Sequence, residues 1–377
     1  MRATEADAKR ALRALKREAA AGQPSTKASS RVTLKAWIDT WSQDYQRRAR
    51  PQSWAADMGV LRKHVIPTIG HRRLTDLSVG DLRRLDEEAR EAGLSPSSIN
   101  GLRSLLHRVL KGAVVEGHSI SDAVMMAPKP KKGTPDRSAI PAPDAARLLK
   151  AATERDAWAP LPGDAGPAER RDRRYALDQD ASRWVAALLQ GMRQGECLGL
   201  TWDRVDLTEG TITVDRQMIE MPRTADPTAT DNIHYERITN SVFWGPVKSR
   251  AGRRVIPLVP WMAAALADWR DRCPESPHGL VWPRPTGRPW NANADRWAWR
   301  GLQCAAGVAK PDGSPFVVHE ARHSTATLLM AAQVPATVVI AIMGHSAITT
   351  TMNYQHADLD QARAALESVA PRLGLTM

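Results

Sequence analysis

Long apolar segments and cysteine pairs are missing from this 377-residue chain. It has no run of about 18 or more apolar residues, so we expect no membrane span. Its first residues lack the apolar core of a secretory signal. The three cysteines, Cys197, Cys273 and Cys304, lie far apart and form no CxxC pair. Such a sparse, odd set indicates reduced thiols in a cytoplasmic protein and argues against a disulfide framework or a thiolate zinc site.

Lysine and tyrosine are also scarce. Only 12 of the 53 basic residues are lysines, and after residue 150 the chain has just two, Lys248 and Lys310. Arginine therefore supplies the general positive charge, and a lysine kept against this bias can do what arginine cannot, namely release a proton. The chain has only four tyrosines. This scarcity draws attention to Lys248 and, near the carboxyl end, to Tyr354.

Positive charge is the abundant feature. The formal net charge is +12 and the isoelectric point is about 10.0. Such a surface attracts polyanions, and nucleic acid is the commonest large polyanion in cytoplasm. The 42% of apolar and 25% of charged residues are typical of a globular protein. The length suits two domains, so we expect a two-domain protein that binds nucleic acid.

Two basic stretches predict connecting segments. Residues 1–30 are Ala-rich and basic and end in GQPSTKASS, which predicts a short helix or disordered arm and then a linker. Whether this arm contacts DNA stays open. Residues 128–138, PKPKKGTPDRS, contain no apolar residue, and their Pro and Lys content predicts a linker. A basic linker suits a protein that closes on a phosphate backbone.

Residues 31–127 predict a helical domain. Trp37 and Trp41 recur at helical spacing, and later segments repeat this pattern. Pro67 and Gly70 are expected to stop the second helix. The periodicity indicates a compact bundle of four or five helices.

Residues 139–377 predict a second domain of mixed structure. A helix over 180–192 precedes GMRQGE, and VDLTEGTITV predicts a β-hairpin with Glu209 in its turn. Residues 221–244 are expected to form an irregular inserted loop. RRVIPLV predicts a further strand, and beyond it the helical pattern returns.

Phosphodiester transfer without a metal sets clear chemical requirements. Charge develops on the non-bridging oxygens, and forked guanidinium groups suit that shape. A tyrosine nucleophile needs a nearby base, and the leaving 5′ oxygen needs an acid, which lysine or histidine can supply but arginine cannot. The chain offers candidates for each requirement: Arg193, Lys248, His319, Arg322, His345 and Tyr354.

Four motifs contain these side chains, and together they resemble one family. The motifs are GMRQGECLGLTWDRVDL with Arg193 and Glu196, PVKSRAGRRVIPL with Lys248, HEARH with His319 and Arg322, and GHSAITTTMNYQHA with His345 and Tyr354. They occur in the order typical of tyrosine recombinases of the phage-integrase family, and the spacing from Arg322 to Tyr354 is typical as well. The resemblance covers residues 31 to about 370. The departures are the 221–244 loop and a longer 155–178 segment.

The resemblance implies a mainly α fold with a small antiparallel β-sheet, arranged as a two-domain DNA clamp. A helical, SAM-like core-binding domain would precede the catalytic domain. The implied function is site-specific recombination that integrates or excises a phage or other mobile element, without metal, cofactor or ATP. The implied assembly is a homotetramer on double-stranded DNA attachment sites, acting through a Holliday junction. Whether an excision factor or a DNA-bending protein assists stays open, as does the attachment sequence.

The family also implies roles in proton transfer. Tyr354 would attack the scissile phosphate and form a 3′-phosphotyrosyl bond, which conserves the phosphodiester energy. His319 would accept the tyrosine proton, and Lys248 would donate a proton to the 5′ oxygen.

Further roles concern the charge of the phosphate. Arg193 and Arg322 would hold the non-bridging oxygens, and His345 would also bond a phosphate oxygen. Glu196 would orient its neighbours, although a glutamate is also favoured simply by the dipole of a helix first turn.

Three alternatives remain beside this interpretation. HEARH formally matches the HExxH helix of zinc proteases, which would make zinc ligands of His319 and His323 and a base of Glu320. In the recombinase interpretation, Glu320 points away from the phosphate and His323 packs or bonds behind Arg322. A type IB topoisomerase or hairpin-forming resolvase would share the chemistry, and a DNA-binding protein without catalysis would share only the affinity.

The carboxyl-terminal residues predict an amphipathic helix. Leu359, Ala362, Leu366 and Val369 lie on one face at helical spacing. The family resemblance favours docking of this face on a neighbouring protomer, and the alternative is packing on its own domain.

Overall fold

The computed structural model describes residues 31–133, 139–231, 233–344 and 359–375. These residues fold into two compact units. The described part of the first unit is 31–133 with 222–231, and that of the second is 139–221, 233–344 and 359–375. Both are mainly helical, and the strands are antiparallel, which confirms the expected fold class. None of the described helices is long and apolar enough to cross a bilayer.

Helices dominate the first unit. They are α1 Leu34–Arg48, α2 Pro51–Val60, α3 Ile66–Ile69, α4 Val79–Glu91, α5 Pro96–Val115 and α6 Asp122–Met125. Thr33, Ser78 and Ser95 accept backbone N–H bonds at the starts of α1, α4 and α5, which satisfies donors that a helix start leaves free. Trp37 and Trp41 are buried in the core as predicted.

Pro67 does not stop the second helix. The chain continues from α2 through a π-helical turn, Leu61–Val65, into α3, and the end comes at Gly70. Pro67 lies in the first turn of α3, where its missing N–H costs little. The widened turn therefore admits the proline without ending the helix.

The second unit combines helices with short strands. Its helices are α7 Ala142–Thr153, α8 Pro167–Asp178, α9 Ala181–Leu188, α10 Gln194–Leu198, α11 Pro260–Arg272, α12 Ala292–Ala306, α13 Val318–Ala331, α14 Ala336–Met343 and α15 Leu359–Val369. Its strands are β1 Val205–Asp206, β2 Thr211–Val214, β3 Arg216–Glu220, β4 Glu236–Arg237, β5 Val242–Pro246 and β6 Arg254–Pro257. One large apolar core joins them.

The strands form two three-stranded antiparallel sheets, ordered β1-β2-β6 and β3-β5-β4. The predicted hairpin is confirmed, because Val205 pairs with Ile212 and Glu209 lies in the turn. Residues 221–244 are not wholly irregular: they contain β4 and most of β5. The mainly polar sequence of this segment gives no clear strand pattern, and the two strands are short: β5 pairs with β3, and β4 pairs with β5.

Helix α15 packs on its own unit, so the favoured docking on a neighbour is wrong for these residues. Ala362, Leu366 and Val369 are buried beside β6 and α14. Arg363 donates to the carbonyls of Leu258 and Gly210, at 2.7 and 3.2 Å. Apolar surface within the same unit thus covers Ala362, Leu366 and Val369, whereas Leu359, the fourth residue of the predicted face, is 41% exposed.

Candidate active site

Arg193 lies at the start of the short helix α10. Its backbone N–H donates to Oε2 of Glu196 at 2.9 Å, and its Nη1 donates to Oε1 of the same carboxylate at 2.6 Å. A glutamate three residues into a helix reaches back to the first free N–H in this way. The local sequence RQGE therefore forms the helix start and also orients the Arg193 guanidinium.

Arg254, at the first position of β6, binds the same carboxylate from the other side. Its Nη2 and Nη1 lie 2.9 and 3.3 Å from the two oxygens of Glu196. Its Nε donates to the carbonyl of Ile342 at 2.7 Å, and Nη1 also donates to that of Gly252 at 3.0 Å. The Arg254 side chain is only 5% exposed.

Glu196 is a buried carboxylate with several charged donors. Burial alone would raise its pKa, but Arg254 and Arg193 outweigh burial and lower the pKa to about 2. The group is therefore ionised at neutral pH. It serves as a fixed negative anchor for two guanidinium groups.

Arg322 is buried in helix α13. It donates through Nη1 to the carbonyl of Gly191 and through Nη2 to that of Met343. Burial first, and then repulsion from Arg193 and Arg254, lowers the pKa of Arg322 to about 9. The side chain remains predominantly cationic at neutral pH, and an added anion would relieve the repulsion.

Three arginines thus bind three consecutive carbonyls at the end of α14. Arg254 binds Ile342, Arg322 binds Met343, and Arg193 binds Gly344 at 2.9 Å. The last carbonyls of a helix lack intrahelical partners and carry partial negative charge. Gly344 ends the helix in the left-handed conformation, with φ +61°, as is common after a helix.

Gly191 makes the close approach possible. It has φ +62°, and a Cβ on it would lie 2.5 Å from Sδ of Met343. Only glycine fits this position without moving Met343, whose carbonyl Arg322 binds.

The cluster has more positive than negative charge. The described cluster contains three guanidinium groups and the carboxylate of Glu196. Arg193 and Arg254 form ion pairs with this carboxylate, and Arg322 feels its charge without bonding to it. Arg193, Arg322 and the exposed His319 line one cavity of about 450 Å³. A preorganised excess of positive charge in a partly buried cavity suits a phosphate group that gains charge during transfer.

The remaining predicted residues lie in different places. Lys248 is exposed at the bend between β5 and the 3₁₀ turn Arg250–Gly252. A Cβ on Gly252 would lie 3.7 Å from Nη1 of Arg193, so this turn approaches the arginine cluster. His345 and Tyr354 lie outside the described residues.

Glu320 and His323, the other two polar residues of HEARH, differ in burial. Glu320 is fully buried, as expected for a residue that points away from a phosphate. His323 is exposed and its ring lies edge-on to that of His319 at 5.0 Å, so the expectation that it packs behind Arg322 is wrong. On a helix, position 323 is one turn from 319 and shares its exposed side.

Sequence reasoning missed Arg254. A signal was present, since strand alternation places Arg254 on the same face as Ile256, which is buried. A buried arginine needs a carboxylate partner. The pairing with Glu196, however, joins residues 58 positions apart, and nothing local in the sequence indicates it.

Comparisons with known proteins identify relatives of this chain. Residues 179–361 match the phage integrase family, and residues 33–85 match the phage integrase N-terminal SAM-like domain. An integrase of Streptomyces ambofaciens is 30% identical, over 77% of this chain and 67% of its own length. A tyrosine recombinase XerC of Methylobacterium sp. (strain 4-46) is 26% identical, over 80% of each chain.

Solved structures share the fold. The Tn1549 transposon integrase in complex with transposon right end DNA has a TM-score of 0.65 at 19% identity, over 90% of this chain and 100% of its own. A lambda integrase tetramer bound to a Holliday junction has a TM-score of 0.53 at 17% identity, over 95% and 91%.

The fold and the arginine cluster define a catalytic domain suited to a phosphate group. The chain belongs to the phage integrase family of tyrosine recombinases. It is a tyrosine-type, site-specific DNA recombinase.

Proposed function

We propose that Tyr354 is the nucleophile and that the arginine cluster holds the scissile phosphate of a double-stranded DNA attachment site. Attack by the tyrosine oxygen on phosphorus forms the phosphotyrosyl bond and breaks the bond to the 5′ oxygen. The observation that carries this proposal is the convergence of Arg193 and Arg322 on one cavity with excess positive charge.

Each step has a residue assigned to it. Arg193 and Arg322, with His345, stabilise the charge that develops on the non-bridging oxygens. His319 accepts the proton of the tyrosine, and Lys248 gives a proton to the departing 5′ oxygen. Rejoining reverses these transfers on the partner strand.

The same proposal assigns roles to the domains and partners. Residues 31–127 would bind the core site, 128–138 would link, and 139–377 would catalyse. Four protomers would exchange two strands, pass through a Holliday junction and exchange the other two, in the cytoplasm, to move a phage or other mobile element. The tetramer of lambda integrase on such a junction supports this assembly. An excision factor and a DNA-bending protein are candidate accessory partners.

A suicide substrate nicked near the cleavage point tests the nucleophile. The wild-type protein should form a covalent adduct that a denaturing gel separates. Tyr354→Phe should form none, while its DNA affinity stays nearly unchanged because the ring remains. Tyr175→Phe is the matched control: the Tyr175 ring packs against Trp290 and Trp297, and this variant should form the adduct normally.

The outcomes separate the alternatives. An intact adduct in Tyr354→Phe contradicts the assignment, and no adduct in the wild type favours a DNA-binding protein without catalysis. Rejoining of strands from two different sites indicates a recombinase, whereas relaxation of any supercoiled plasmid without exchange indicates a topoisomerase.

A further inference from the structure

Arg254 has no assigned role in the chemistry above, yet it contacts three separate parts of the site. Its bonds reach Glu196 beside Arg193, the Ile342 carbonyl at the end of α14, and Gly252 in the turn after Lys248. We infer that Arg254 is a positioning residue for strand cleavage, which fixes Glu196 and through it the Arg193 guanidinium. This inference rests on the proposed function.

The geometry separates positioning from direct contact. The Arg193 side chain is 19% exposed and lines the cavity. Arg254 is 5% exposed and is not among the described residues of that lining. Among the described residues, Arg254 therefore acts on the cavity through the groups that it holds, first of all Glu196 and Arg193, and does not line the cavity itself.

The two-pronged contact of the Arg254 guanidinium with Glu196 fixes the orientation of Arg193. A guanidinium presents its donors in a rigid plane and binds both oxygens of a carboxylate, which fixes the rotation of that carboxylate. Glu196 in turn holds Nη1 of Arg193 at 2.6 Å. Without Arg254, Glu196 would keep one cationic partner and could rotate with it.

The third contact of Arg254, with the Gly252 carbonyl, lies in the turn that follows Lys248. Arg254 donates to the Gly252 carbonyl at 3.0 Å, and the Cβ position of Gly252 lies 3.1 Å from Cβ of Val247 and 3.7 Å from Nη1 of Arg193. The turn is thus packed against the arginine cluster. Arg254 therefore fixes the connection between β5 and β6, which carries Lys248, in its position beside Arg193.

Loss of Arg254 should also leave a titration signature. Among the described residues, the charged or titratable groups around Glu196 are Arg193 at its own helix start, Arg254 on β6, Arg322 on α13 and the neighbouring Cys197. Without Arg254, burial would dominate and raise the Glu196 pKa toward neutral pH. Protonated Glu196 would no longer orient Arg193, so cleavage would weaken as pH falls.

The experiment measures single-turnover cleavage of the suicide substrate at saturating protein, together with half-site affinity, for four variants. Arg254→Met removes the fork, and Arg254→Lys keeps the charge without it. Glu196→Gln/Arg254→Met also removes the titrating carboxyl. Arg253→Met is the matched control, because it removes the same charge from an adjacent exposed position.

We expect Arg254→Met to cleave about 10- to 100-fold more slowly, since small misplacements of catalytic groups have effects of this size. Its half-site affinity should stay within about twofold of that of Arg253→Met, as phosphate contacts govern affinity. The ratio of its rate to the wild-type rate should fall with decreasing pH, and this ratio cancels the titration of groups common to both. In Glu196→Gln/Arg254→Met, the ratio should be low and independent of pH.

Three results would overturn the inference. One is a wild-type cleavage rate in Arg254→Met. Another is a loss of affinity with normal cleavage at saturation, which would make Arg254 a DNA contact. The third is a pH-independent ratio in Arg254→Met, which would leave it only a structural role.

Two further results distinguish misfolding of Arg254→Met, and failure of the proposed function, from failure of this inference. If Arg254→Met cannot be purified folded, Arg254→Lys decides, since it should cleave slowly at normal affinity, and a wild-type rate in it contradicts the inference. If the wild type forms no adduct, the proposed function fails. If it does and Arg254→Met is unimpaired, only this inference fails.

Discussion

Lys310 forms an ion pair with Glu320 across 3.0 Å, and the Glu320 carboxylate is completely buried in the first turn of α13. The other oxygen of Glu320 accepts the N–H of Val317 at 2.7 Å. A zinc protease would need this glutamate beside exposed metal-bound water. Here Glu320 is buried against Lys310, whereas His319 and His323 are exposed. The glutamate therefore does not face the surface on which the two histidines lie, as the HExxH site would require. One of the two lysines after residue 150 thus supports the helix that carries Arg322.

Lys310→Met should lower the free energy of unfolding by about 3 kcal/mol, because removing one partner leaves a buried charge uncompensated. Lys310→Met/Glu320→Gln should recover part of this loss. Urea unfolding measures both. Lys150→Met, which removes an exposed lysine, should cost about 0.5 kcal/mol or less. Equal effects of Lys310→Met and Lys150→Met would show that the buried pair contributes nothing.

Cleavage should persist in excess EDTA. Arginines stabilise the phosphate charge in the proposed mechanism, and no step uses a metal. The measurement is adduct formation on the suicide substrate after chelation. If chelation stopped the reaction and zinc restored it, the arginine mechanism would be wrong.

Lys248→Arg should be strongly impaired, although it keeps the charge. Arginine does not readily release a proton, so the 5′ oxygen would leave without its acid. A substrate with sulfur at the 5′-bridging position has a leaving group that needs little protonation. It should rescue Lys248→Arg and Lys248→Ala, and failure of rescue would exclude Lys248 as the acid.

Leu366→Ala should destabilise the second unit by about 2–5 kcal/mol, as expected for a large side chain removed from a core. Leu366 is completely buried within its own unit. Thermal unfolding is the measurement, and Glu367→Ala, on the exposed side, should have little effect. Unchanged stability with lost tetramer assembly would restore docking on a neighbour.

Local sequence patterns predict the features that depend on residues close together in the chain. Helical spacing located the core positions Trp37 and Trp41, and the turn chemistry around Glu209 located a hairpin. The motifs also identified Arg193, Glu196 and Arg322, which the structure brings to one place through bonds to each other or to adjacent carbonyls.

Contacts between residues far apart in the chain could not be predicted from these local patterns. The role of Arg254 depends on a carboxylate 58 positions away and on a helix end 88 positions away. The burial of α15 depends on apolar surface of β6 and α14, and its amphipathic pattern does not say which surface covers it. The prediction that Pro67 helps to stop the second helix is wrong because a π-helical turn places this proline at a helix start.

Gly191 limits how this enzyme can be redesigned. Its backbone is left-handed, and a Cβ there would lie 2.5 Å from Sδ of Met343, so any side chain would strain the backbone and displace that thioether. A directed-evolution library for new attachment sequences should therefore leave codon 191 fixed. A substitution there would strain the backbone whose carbonyl binds Arg322 and would displace Met343, so randomising that codon would vary the stability of the site and not its choice of DNA sequence.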